Sequence, residues 1–106
     1  MNARLLRVTK VADANETAGV VRIRAAGEID MFSVPLLDDA LATAAAGGYR
    51  EIHLDLAEVT FFDCAALRAL EVADDAAPGR LRLVAAGEPV RLVLHLLDRQ
   101  GRFVSA

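Results

Sequence analysis

The chain changes its hydrophobic rhythm several times, and those changes divide it into strands and helices. Val21, Ile23 and Ala25 alternate with Arg22 and Arg24, so residues 20–25 read as a strand with one apolar and one cationic face. Ile52, Leu54 and Leu56 alternate in the same way with Glu51, His53 and Asp55, as do Leu81 and Leu83 with Arg80 and Arg82. A short apolar run from Arg4 to Val8 adds a further strand, and the polar, turn-rich stretch at 9–19 suits a loop joining it to the next. Strands buried on both faces would read as near-continuous apolar runs. These two-faced strands instead predict one sheet covered by helices on one side.

Between the strands the period lengthens to that of a helix. Leu37, Ala40, Leu41 and Ala44 form one apolar stripe, with Ser33 as N-cap, Pro35 in the first turn and Gly47-Gly48 as the stop. A second helix starts near Cys64 and buries Ala66, Leu67, Leu70 and Ala73, with Pro78-Gly79 in the turn after it. A third opens at Glu88-Pro89-Val90, with Pro89 at its first position, a stripe of Val90, Val93, Leu94 and Leu97, and Gly101 after its end. This helix also carries Leu92 and Leu96 on another face, so it is either deeply buried or in contact with a partner. The order is β-β-α-β-α-β-α, with a last short strand expected at Arg102 to Val104.

Composition narrows the class. A chain of 106 residues fits one domain, residues 1–106, able to hide roughly two-thirds of its unfolded surface. It is 55% hydrophobic and 25% charged, a globular balance. The formal net charge of −3, with arginines scattered and never in a run, gives no footprint for nucleic acid or an acidic membrane. No apolar run approaches the roughly 20 residues of a membrane span. The first residues lack the apolar core of a signal peptide. A single cysteine excludes an internal disulfide framework and suits a reducing cytoplasm.

That cysteine, Cys64, is the natural place to look for chemistry. A thiol at a helix N-terminus feels the positive end of the helix dipole, which favours thiolate, while the neighbouring Asp63 opposes it. A catalytic cysteine also needs a base. Only His53, on the charged face of a strand, and His95, inside a helix, exist, and neither has a spacing that brings it to Cys64. Packing or capping at a helix start therefore outweighs nucleophilic catalysis. One cysteine and two distant histidines make no metal site, and the pairs Asp38-Asp39 and Asp74-Asp75 suit a solvated helix face. No glycine loop of the nucleotide-binding kinds is present. The expectation is a non-enzyme without cofactor or metal.

Two motifs make the chain recognisable. Gly27-Glu28-Ile29-Asp30, at the exit of the second strand, resembles the Gly-Glu-Leu/Ile-Asp turn of the STAS family, named for sulfate transporters and anti-sigma factor antagonists. Val59 to Leu67 (VTFFDCAAL) resembles that family's strand-to-helix signature of two hydrophobics followed by Asp-Ser-Ser-Gly-Leu. Leu81 to Phe103 is similar to its closing strand and helix, so the resemblance covers nearly the whole chain.

The resemblance implies an α/β fold with a single mixed sheet of four to five strands and helices mainly on one face. It also implies a role. In antagonist members the first serine of the signature is the phosphorylated switch, and the unphosphorylated form binds a serine kinase-type anti-sigma factor. That serine falls on Cys64 here, with Ala65 and Ala66 replacing the second serine and the glycine. Cysteine is not a normal substrate for such a kinase, so ordinary phosphorylation is expected to be lost at this position; Ser33, in the turn after Asp30, is the alternative proposed, with N-cap its better reading. The implied function is a cytoplasmic protein-binding module, anti-sigma factor antagonist-like, whose partner is a kinase-type anti-sigma factor or another regulatory ATPase. The expected surface comprises Gly27, Glu28, Asp30, Ser33, Asp63, Cys64, Ala65, Ala66, Leu67 and Arg68, with Glu71 a further candidate. Two rival roles are a small subunit of a lipid-transport ATPase complex, docking through the second-helix start and the third helix, and a thiol redox sensor through Cys64.

Overall fold

A strand that is apolar on one side must bury that side against something, and here three helices supply the cover. The computed structural model describes residues 6–11, 19–99 and 102–103. Its elements are β1 (Leu6–Val11), β2 (Val20–Ile29), α1 (Val34–Ala46), β3 (Glu51–Phe62), α2 (Cys64–Ala76), β4 (Leu81–Ala86) and α3 (Glu88–Leu96). The sheet runs β1-β2-β3-β4, with β1 antiparallel to β2 and the other neighbours parallel. The element order is the one the periodicity implied, and the single mixed sheet is the one the STAS resemblance implied.

The apolar side of each strand enters one core. Val21, Ile23 and Ala25 of β2 and Ile52, Leu54 and Leu56 of β3 meet Leu37 and Leu41 of α1, Leu67 and Leu70 of α2, and Val90 and Leu94 of α3. Each fully buried Leu or Ile side chain contributes about 1.5–3 kcal/mol from removal of apolar surface from water. The other side of the sheet is a lattice of charges. Arg22 stands opposite His53, His53 opposite Arg82, and Arg24 opposite Asp55. Arg22 donates to Asp55 at 3.0 Å, and Glu51 lies 2.8 Å from the His53 ring. Asp55 beside Arg22 and Arg24, and Glu51 beside His53 and Arg82, balance the cations of this face so that it can remain partly hydrated without self-repulsion.

Several boundaries differ from the sequence reading. Thr9, Lys10 and Val11 belong to β1 rather than to a loop, because they pair in antiparallel register with Arg24, Ile23 and Arg22. The expected start at Arg4 and Leu5, and the rest of the expected loop at 12–18, lie outside the described residues. The second strand continues past Ala25 to Ile29, and the third past Leu56 to Phe62. Bulges explain why: the β2–β3 register shifts between Arg24 and Ala26 and again between Gly27 and Glu28. Each shift breaks the two-residue alternation on which a sequence reading depends. The α3 helix stops at Leu96, so Leu97 is an exposed cap residue rather than part of the buried stripe. Arg102 and Phe103 form a turn, not a strand; the Phe103 side chain is buried, and its carbonyl accepts the Leu83 N–H at 3.0 Å. Gly101 and Val104 lie outside the described residues.

Two glycines have strict geometric reasons. Gly27 sits at the second bulge with φ +112°, a region that side-chain-bearing residues rarely enter. At Gly87 a Cβ would stand 2.9 Å from the Ala57 carbonyl oxygen, so the absence of a side chain lets the start of α3 lie directly against β3.

Candidate functional site

Parallel strands β2 and β3 end at the same edge of the sheet, with Glu28 registered to Phe61 and Ile29 to Phe62. The two turns that leave them therefore lie side by side, and both sequence motifs meet there. Open sheets of this kind place their ligand surfaces at the carboxyl ends of parallel strands.

The first turn is built on Asp30. Its Oδ1 accepts the N–H groups of Phe32 at 2.9 Å and Ser33 at 3.0 Å. The Ser33 N–H bond leads in holding this carboxyl below its ordinary pKa, against a smaller opposing effect of burial. Ser33 turns inward. Its hydroxyl donates to the Glu28 carbonyl at 2.8 Å and accepts the Asp30 N–H at 3.0 Å. Ser33 thus occupies the N-cap position of α1 without capping it; the Val34 N–H is taken by the Asp30 carbonyl at 2.8 Å. The expected side-chain cap is corrected accordingly: the hydroxyl ties the turn to the end of β2. Folding the polar groups inward leaves Met31 and Phe32 outside, 67% and 79% exposed.

The second turn is shorter. Asp63 has extended backbone geometry and caps α2, its Oδ1 accepting the Ala66 N–H at 3.0 Å. The helix then starts at Cys64, whose thiol is exposed. Phe61 on the incoming strand is also turned out, 47% exposed.

Of the residues expected to form a surface, Gly27, Glu28, Asp30, Asp63, Cys64, Ala65 and Arg68 are at least partly exposed around this edge. Ser33, Ala66 and Leu67 are buried and act beneath the surface, because their helix and turn positions face the core. Glu71 is taken by Arg99 at 2.9 Å. Sequence reading missed Met31, Phe32 and Phe61. The available signal was an adjacent Met-Phe pair inside a turn, where neither a strand face nor a helix stripe could bury it.

Among the described residues this edge offers an exposed thiol and an apolar surface but no assembled acid–base pair. His53 is engaged with Glu51 on the charged face, and His95 is exposed on α3. Among the described residues no three His, Cys, Asp or Glu side chains converge as a metal site, and no helix is long and apolar enough to cross a membrane.

The fold recurs in known proteins. The chain is similar over 92% of its length to an anti-sigma factor antagonist from Mycobacterium paratuberculosis, at 24% identity and a TM-score of 0.80, covering 82% of that chain. It is similar to the Bacillus cell fate determinant SpoIIAA in its phosphorylated form, at 20% identity and a TM-score of 0.67, covering 93% of this chain and 89% of that one. The unphosphorylated form of the antagonist SpoIIAA gives 21% identity and 0.68, with 93% and 86% covered. No curated protein matches the sequence. The family model for the STAS domain matches residues 11–102, spanning both turns and all but the first residues of the sheet, and the chain belongs to that family.

Proposed function

We propose that the chain is a protein-binding regulatory module of the anti-sigma factor antagonist kind, acting without chemistry of its own in the cytoplasm. Its partner is a kinase-type anti-sigma factor or another regulatory ATPase. The observation that carries this reading is the grouping of Met31, Phe32 and Phe61 with the exposed Cys64 at one edge of the sheet. Large apolar side chains left in water around a helix start suit burial by a second protein, where aromatic anchors supply most of the binding energy. Glu28, Asp30, Asp63 and Arg68 form the polar surround, with Gly27 and Ala65 completing the surface between them.

Cys64 sets the regulation. A phosphoserine there would add nearly two negative charges at the N-terminus of α2, in the middle of that surface. A thiol holds the position in its unphosphorylated-like form. Ser33 cannot take over the role without breaking its bonds to Glu28 and Asp30 and leaving the core. The test is phosphate uptake from ATP in the presence of a kinase-type anti-sigma factor from the same genome. The Cys64→Ser protein should be labelled and the natural chain not; equal labelling would place the switch elsewhere.

Exposure of the thiol supports a second reading, a redox sensor through Cys64. Rapid alkylation together with peroxide-dependent loss of partner binding would favour it. Alkylation without any effect on binding would remove it. The exposed Leu92 and Leu96 on α3 support the third, docking to a lipid-transport ATPase.

A further inference from the structure

Helices α1 and α2 each follow one of two parallel strands, so they run in the same direction and begin at the same edge of the sheet. Between them lies an open groove of about 430 Å³ with Ile52 and Leu81 among the residues of its floor. Side-chain size explains why it is open. The lining includes Ala42 and Ala45 on α1, and Ala69, Ala73 and Ala76 on α2, whose short side chains leave a shallow apolar trough above two helices that approach each other closely. On α2 the groove runs from Ala65 to Ala76, about 16 Å at 1.5 Å per residue. Its upper end adjoins Cys64 and is continuous with the surface described above.

Two charges flank it at one level. Asp38 is the fifth residue of α1 and Arg68 the fifth of α2, on opposite walls. Among the described residues neither has an ion-pair partner. We propose that this groove receives an amphipathic helix of the protein partner, its apolar stripe inserted between α1 and α2, with a basic residue over Asp38 and an acidic one over Arg68. The inference rests on the reading of the chain as a protein-binding module and names the element that it binds. About three turns of helix, with apolar side chains at i, i+3 or i+4 and i+7, match the groove's length. Flanking charges of opposite sign fit a helix, which carries side chains on both flanks. An acyl chain's single anionic head would pair with Arg68 alone and leave Asp38 unmatched, whereas a helix can answer both charges at once.

The test is selection of a displayed library of helical peptides on the immobilised full chain, followed by affinity measurement on the enriched peptides. Enrichment of three-turn amphipathic sequences is expected. Ala42→Glu and Val72→Glu, both at exposed wall positions, should weaken their binding at least about tenfold, whereas Glu58→Gln, exposed on β3 and outside the groove lining, should leave it unchanged. The double change Asp38→Lys, Arg68→Glu should invert the charge preference of the flanks. Enrichment of extended sequences, indifference to the wall substitutions, native mass spectra carrying a long-chain fatty acid, or a dimer dissolved by Val72→Glu would each overturn the proposal. If it fails while a partner protein still binds in a Phe32-dependent way, the binding-module reading stands without the groove.

Discussion

The Oδ1 atom of Asp63 accepts the backbone N–H of Ala66 at 3.0 Å, and this bond determines where α2 begins and therefore which way Cys64 faces. With Asp63 as cap, Cys64 is the first helical residue and points to solvent, while Ala66 and Leu67 enter the core. Removing the cap with Asp63→Ala is expected to cost about 1 kcal/mol, seen as a lower urea midpoint. Asp63→Asn should retain most of it. Equal stability of all three proteins would contradict the assigned role of the side chain.

Asp55 is the buried acid of the charged face. Burial alone would raise its pKa, but the Ala57 N–H at 3.0 Å and the guanidinium groups of Arg22 and Arg24 outweigh it and hold the carboxyl below its ordinary value. A depressed folded-state pKa adds stability that is present above the unfolded value, near about 3.9, and is lost as the pH falls through the lower folded value. Asp55→Asn should therefore destabilise the chain by roughly 1–3 kcal/mol at pH 7. Its difference from the natural protein should shrink below about pH 4. A difference constant from pH 7 to pH 3 would show that Asp55 contributes shape rather than charge.

Ser33 gives a contrasting case, because it looks like a surface hydroxyl in the sequence and is a buried one in the fold. Ser33→Ala leaves the Asp30 N–H and the Glu28 carbonyl without their partner and should cost about 1–3 kcal/mol in urea unfolding. Ser33→Glu, which mimics a phosphate, should destabilise more, since a carboxylate would need to be buried there. If Ser33→Glu folded as stably as the natural chain, the turn would be open to modification after all.

These cases show where sequence reading succeeds and where it stops. The positions Ile52, Leu54 and Leu56 were legible because an uninterrupted β alternation maps one-to-one onto a buried face. The start of α2 was legible because Asp63 precedes an abrupt change to Ala and Leu. The upper halves of β2 and β3 were not, because bulges after Arg24 and Gly27 shift the register without leaving a compositional mark. Ser33 was misread as a helix cap because its type fits a cap, while its actual partners, Glu28 and Asp30, lie behind it in the chain. The apolar edge of Met31, Phe32 and Phe61 emerges only when two strands distant in the chain are laid in register, Glu28 opposite Phe61.

The most direct measurement is quantitative co-purification from the native host, comparing the natural chain with Phe32→Ser and Phe61→Ser. Both side chains are already exposed, so neither change should move stability by more than about 0.5 kcal/mol. A kinase-type ATPase of anti-sigma character should be retained by the natural chain. It should be reduced at least about 30-fold by Phe32→Ser, as for an anchor contributing about 2 kcal/mol or more. Recovery of a transporter ATPase, or of the same kinase-type protein undiminished by either substitution, would contradict the assignment of this edge as the partner surface.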